Sequence, residues 1–198
     1  MNKLIFIVIV TFSLICFSSS TWVKKPVLTP ELKKKLETNI IEIKSWLETP
    51  MFIDAVKTQN AKKKSIDEIK KLDKDWVDII KNKKKENQLM KQLLNHPVGQ
   101  WLRKKNKEER GRYPESFLCD NQGANVAISR LTTDYWQGDE TKWIDSFNNG
   151  KGKTVIGNPK YDESTGSMQI HVSIPVIDNG KTIGVFIIGI KWRHLKKN

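Results

Sequence analysis

The chain has 198 residues, 38% hydrophobic and 29% charged, with a formal net charge of +13 at pH 7. That length and apolar share suffice for one domain with a sizeable core. Two cysteines in the whole chain exclude a disulfide-dense scaffold.

Met1-Asn2-Lys3 precedes an apolar run from Leu4 to Phe17 and then Ser18-Ser19-Ser20. A positive start, a short apolar stretch and a small-residue site fit an export signal over 1–20, cleaved near Ser20. A membrane helix needs about 20 apolar residues, so an uncleaved tether is the alternative. The location expected is periplasmic or secreted. Cys16 leaves with the signal, and Cys119 then stands alone. In Phe117-Leu118-Cys119 it reads as a buried strand residue rather than a nucleophile.

Residues 21–112 read as a basic helical region, since residues 24 to 112 carry a net charge of +11 and residues 113 to 198 only +1. Thr29-Pro30 and Thr49-Pro50 each offer an N-cap followed by proline at the first helical position. Leu32, Leu36, Ile40, Ile43 and Leu47 recur at helical spacing, as do Ile66, Ile69, Leu72, Trp76 and Ile80. Asn95-His96-Pro97 should interrupt a third such stretch, because the residue before proline avoids helical geometry. The runs Lys62-Lys63-Lys64 and Lys83-Lys84-Lys85 read as solvated helix faces with weak attraction to an anionic membrane surface. No interleaving of basic and aromatic residues suited to stacking on bases is present, so no nucleic-acid partner is expected.

Past Tyr113-Pro114 the period changes to two, marking a sheet domain over 113–193. Ser116–Asp120 and Asn125–Ser129 read as short strands about an Asn-Gln-Gly turn. A helix is expected from Asp139 to Phe147, and a short strand from Thr154 to Gly157. Met168, Ile170, Val172 and Ile174 alternate with polar residues. Asp178-Asn179-Gly180-Lys181 signals a hairpin into Ile183–Ile190, a central strand apolar on both faces. Residues 194–198 form a basic tail. The fold class is α+β, with about five antiparallel strands behind long N-terminal helices.

The stretch FLCDNQGANVAISRLTTDYWQGDETKW, then GKG at 150–152, YDEST at 161–165 and IHVSIPVIDNGKTIGVFIIGI resemble the Cache sensor domains, also called PDC sensors. These are the extracytoplasmic PAS-like modules of bacterial chemoreceptors and sensor kinases. The resemblance covers residues 116 to 191 closely, and LDKDWVDII and LLNHPVGQWLR upstream more loosely. It implies a PAS-like five-stranded antiparallel sheet behind a long helix. It also implies a small-ligand pocket between that sheet and the loop and short helix after the second strand. Members normally continue into a membrane helix and an output domain, for which KWRHLKKN leaves no room; the expectation is a standalone binding module.

Within loop 130–143, aromatic walls and polar hooks suit a small polar metabolite. Arg130 can grip a carboxylate in bidentate fashion. Tyr135 and Trp136 can wall a site and donate hydrogen bonds. Asp134 or Asp139 can receive an ammonium group, or else brace the loop and cap the inserted helix respectively. Trp143 on that helix reads as core first and as a further wall second. His171 alternates onto the face opposite Met168 and Ile170, and Tyr161 and Asp162 lie near the implied pocket mouth. No zinc spacing, nucleophile elbow or phosphate loop is present, so neither enzymatic activity nor a cofactor or metal is expected. The alternative function is a secreted interaction protein whose basic helices bind a protein partner or a second copy.

Overall fold

The computed structural model describes residues 26 to 196. The export-signal run and the last two residues of the basic tail lie outside them.

Helix α1 spans Pro30–Leu47 and starts where Thr29 Oγ1 accepts the N–H of Leu32 at 3.3 Å. Its stripe Leu32, Leu36, Ile40 and Ile43 is buried, joined by Trp46 and Leu47. Helix α2 spans Pro50–Ala61, and α3 spans Ile66–Lys81. A reciprocal cap opens α3: the N–H of Glu68 donates to Ser65 Oγ, and Ser65 N–H returns to the Glu68 carboxylate. Helices α4 (Gln88–Asn95) and α5 (Pro97–Glu108) are separated at His96, whose extended backbone before Pro97 ends the first and caps the second.

The sheet contains β1 (Ser116–Cys119), β2 (Asn125–Ile128), β3 (Val155–Ile156), β4 (Lys160–Asp162), β5 (Ser167–Asp178) and β6 (Lys181–Lys191), with α6 (Thr141–Phe147) between β2 and β3. All pairings are antiparallel, in the order β2-β1-β6-β5-β3, and β4 also pairs with β5. The architecture is α+β and PAS-like. Strand β4 is additional to the five strands read from the sequence. At 12 residues β5 is long enough for its outer edge to hold β3 and β4 one after the other. The β5–β6 turn has Asn179 at φ 47 and Gly180 at φ 75, the left-handed pair that a two-residue hairpin requires.

Two helix boundaries differ from expectation. Helix α6 begins at Thr141, and Asp139 lies in the turn before it. The start of the basic tail belongs to α7 (Trp192–Lys196), whose Trp192 and Leu195 are buried. Apolar residues three apart on one helical face outweigh the basic composition there.

Strand alternation gives the sheet two unlike faces. Leu118, Ile170, Val172, Ile174, Phe186 and Ile188 form the first, and pack in one cluster with residues of α1, α2, α5 and α7. The helices preceding residue 113 therefore share a core with the sheet. Phe117, Cys119, Ile128, Val185 and Ile187 form the second, covered by Ile69 and Trp76 of α3, Met90 and Leu93 of α4, and Tyr135. Cys119 is fully buried, and burial pushes its thiol well up, with Asp120 adding to the rise. A thiol so held stays protonated and unreactive.

Candidate ligand-binding site

On the second face the apolar surface gives way at the β4 end. Strand β5 turns Gln169, His171 and Ser173 towards that side, and His171 is paired across the sheet with Gly189 of β6. A Cβ on Gly189 would lie 2.2 Å from Gln169 Oε1, so the glycine makes room for the amide side chain. Glu115, just before β1, joins this row: His171 Nε2 is 2.5 Å from Glu115 Oε1, and Gln169 Nε2 donates to the same oxygen at 3.2 Å. Strand β4 pairs Asp162 with Ser167 and Lys160 with Gln169, which brings both charges to the same edge.

The facing wall is the loop after β2. Its backbone runs beside β2: Asn125 N–H donates to Tyr135 O at 3.0 Å, and Gln137 N–H to Gly123 O at 2.8 Å. From α3, Asp73 Oδ1 accepts the N–H groups of Tyr135 and Trp136 at 2.8 and 2.9 Å, while Trp76 Nε1 donates to Thr132 O at 3.0 Å. Asn125 Nδ2 holds Thr132 Oγ1 and Asp134 O from below. These bonds leave the side chains of Thr132, Thr133 and Asp134 to form a fixed wall, completed by Gln137, Glu140 and Lys142.

Between wall and sheet is a cavity of about 480 Å³ floored by Glu115, Phe117 and His171 and rimmed by residues 160 to 164. Its lining holds five carboxylates (Glu115, Asp134, Glu140, Asp162 and Glu163) against Lys142 and Lys160. Burial pushes the Asp134 carboxyl up to about 6, Lys142 opposes the rise, and Glu140 and Asp73 reinforce it. Burial would also raise Asp162, but hydrogen bonds from Ser164 and Thr165, with His171 and Gln169 adding, hold it below the usual carboxylate value.

Of the residues singled out in the sequence, the fold brings Asp134, Tyr161, Asp162 and His171 to this cavity. Tyr161 stands at the mouth, 55% exposed. Arg130 is outside the lining, and its Nη2 donates to Ser164 O at 2.7 Å, bracing the rim. Tyr135 is fully buried beside Trp76, its hydroxyl accepting from Gln59 Nε2 at 3.4 Å. It borders a separate cavity of about 240 Å³ towards α2 and α4. Trp136 Nε1 donates to Gln122 O at 2.7 Å, with Lys70 Nζ 5.1 Å from its ring. Trp143 stacks on Phe147 at 4.7 Å, and Asp139 is exposed in the turn before α6. The aromatic residues therefore anchor the loop, and Thr132, Thr133, Asp134 and Gln137 line the cavity. Sequence reasoning passed over Glu115, Lys142 and Lys160. Glu115 carried a signal, since it lies two residues before Phe117 and so shares its strand face.

No protein-family model and no curated protein sequence matches this chain. Solved structures to which it is similar include the sensor domain of the V. cholerae histidine kinase DctB, at 13% identity and TM-score 0.43, covering 83% of this chain and 55% of that one. Others are the sensory domain of the Campylobacter jejuni chemoreceptor Tlp3 with isoleucine bound (15%, 0.39, 86% and 66%) and the ligand-binding domain of the Pseudomonas aeruginosa amino acid chemoreceptor PctC in complex with GABA (19%, 0.36, 52% and 42%). The likeness is to Cache-type sensor domains and is one of fold. The chain spans about half the length of the first of them. Among the described residues no helix is long and apolar enough to cross a membrane.

Proposed function

We propose that this Cache-like domain binds a small polar metabolite in the cavity between the second sheet face and loop 130–143. The observation that carries the reading is convergence: a preformed space of about 480 Å³, within the range of small-ligand sites, lined by ionisable side chains from four separate segments. Structural ion pairing alone does not account for the arrangement, since among the described residues Asp134 and Lys142 have no salt-bridge partner within 4.0 Å, nor does Lys160.

The excess of carboxylates favours a ligand bearing an ammonium group, received by Asp134 and Glu140. Lys142 and Lys160 offer a second handle for a carboxylate, in place of Arg130. Thr133 and the unpartnered Oε1 of Gln137 supply neutral hydrogen bonds for orientation.

A thermal-shift panel of amino acids, polyamines, simple amines and short carboxylates tests this. A ligand at 100 times its Kd stabilises the fold by about 2.7 kcal/mol. The expected result is a shift by an amine-bearing compound that Asp134→Asn abolishes. A panel without a shift, or a shift untouched by both Asp134→Asn and Glu140→Gln, overturns the proposal.

A further inference from the structure

Three groups at the cavity floor form a constellation that ligand binding by hydrogen bonds does not require. His171 on β5, Glu115 before β1 and Asp162 on β4 each present one ligating atom, and these atoms all lie within 4.8 Å of one another. We propose that they hold a divalent transition-metal ion of the zinc class, with an open coordination position facing the cavity.

The donor set fits that class. One imidazole and two carboxylates are borderline ligands suited to Zn²⁺ or Mn²⁺, whereas Mg²⁺ and Ca²⁺ prefer oxygen alone. Three protein ligands with a vacant fourth position are the pattern of zinc sites that take up a further ligand. Ligating atoms around Zn²⁺ stand about 3.3 Å apart at bond lengths near 2.0 Å. The 2.5 Å separation of His171 Nε2 and Glu115 Oε1 must therefore open slightly, and Asp162 must move in. Both are side-chain adjustments.

Charge and outer contacts point the same way. Glu115 is 8% exposed, and its salt-bridge partner is His171. A doubly charged ion would neutralise Glu115 and Asp162 together with the imidazole neutral. Asp162 Oδ1 accepts Thr165 N–H at 2.9 Å and Ser164 Oγ at 2.7 Å, which orients the carboxylate.

A second observation comes from a fourth residue beside the three ligands. Gln169 is fully buried and its Oε1 has no hydrogen-bond partner, while its Nε2 lies 3.2 Å from Glu115 Oε1 and 3.5 Å from His171 Nε2. Turning the amide by 180° exchanges its oxygen and nitrogen. The unpartnered oxygen would then face the cluster, where a cation would offset its repulsion from the Glu115 carboxylate and leave the cavity-facing position open. An ion here also gives an acid-rich cavity a positive centre for a ligand carboxylate. That last consequence rests on the cavity being a ligand site; the metal site itself does not.

The test uses the full chain, stripped with a chelator, desalted and titrated with Zn²⁺ alone against a chromophoric competitor. One equivalent should bind. Asp162→Asn, at the end of the edge strand β4, and Glu115→Gln should each weaken binding about tenfold or more, since even losses outside the coordination shell cost that much. His171→Ala should do the same, while His96→Ala should not. No uptake of Zn²⁺ or Mn²⁺ at micromolar concentration, or uptake unchanged by both Asp162→Asn and His171→Ala, overturns the inference. An amine ligand that binds the stripped protein alongside absent metal uptake leaves the cavity reading standing and the metal site refuted. Metal uptake with no ligand found does the reverse.

Discussion

Asp73 Oδ1 accepts the backbone N–H of Tyr135 at 2.8 Å, and through the same atom takes the N–H of Trp136 at 2.9 Å. One carboxylate oxygen on α3 thus fixes the wall of a cavity built on the sheet. Asp73→Ala strands both amide groups, and should cost about 1.5–3 kcal/mol, the range for hydrogen bonds to a charged group. At this chain length that is a fall in Tm of roughly 3 to 12 °C by calorimetry. Asp73→Asn keeps the accepting oxygen and should lose much less. Equal losses for the two variants would show that the charge, and not the two bonds, holds the loop.

Asp134 gives the cavity a pH dependence. Its carboxyl is raised from 3.8 to about 6 in the fold, so between those values the native state holds more protons than the unfolded state. Stability contributed by the protonated acid is present below pH 3.8 and is lost as pH rises through about 6. Binding of an ammonium ligand runs the opposite way, because the ionised form receives it. Near pH 5 about one tenth of Asp134 is ionised, so the affinity measured by calorimetry should rise up to about tenfold from pH 5 to 7. Asp134→Asn should bind weakly with a flat profile. A parent affinity that does not change across that range would remove Asp134 from the ligand.

Arg130 separates a ligand contact from a brace. Its hydrogen bond to Ser164 O lies at the exposed rim, so Arg130→Ala should stay within about 0.5 kcal/mol of the parent in stability. Affinity for the amine-bearing ligand should fall by less than a factor of about three, whereas Lys142→Ala should weaken a carboxylate-bearing ligand by roughly tenfold or more through loss of a charge-assisted bond. A loss of one to two decades in Arg130→Ala would instead place its guanidinium on the ligand.

Gly99 sets how closely α5 approaches β2. A Cβ there would meet Ile128 O at 2.6 Å and Leu93 O at 3.0 Å, both of them backbone atoms. Alanine is intrinsically better in a helix by about 1 kcal/mol, but backbone cannot step aside as a flexible side chain can. Gly99→Ala should therefore be net destabilising by about 1–3 kcal/mol in urea unfolding, the usual cost of overpacking. A stabilised variant would mean that the helix can move away from the sheet without loss.

Local rules carried much of the molecule. The Thr29-Pro30 cap, the apolar stripe of α1, the break at His96-Pro97, the Asn179-Gly180 turn and the alternation of β5 each depend on chemistry within a few residues, and each is legible in the order of amino acids. Thr49 starts α2 without a side-chain cap, its hydroxyl donating to Trp46 O instead. His171 could be placed on the face away from Ile170 and Val172 for the same reason. The aromatic loop is different. Tyr135, Trp136 and Asp134 are neighbours in the chain, and composition alone cannot tell which side chain faces the core. That choice is made by partners about 60 residues distant, Asp73 and Trp76, which bind the loop backbone and turn Tyr135 inward. Arg130 has the right charge for a carboxylate but finds a carbonyl oxygen 34 residues along the chain. Glu115, Asp162 and His171 come from three segments whose proximity is a product of strand pairing. The sequence alone thus determined most of the elements and their faces, β4 and α7 excepted, because capping, turns and alternation are short-range. Tertiary structure decided which polar groups meet in the cavity, because that follows from register and from the backbone bonds between distant elements.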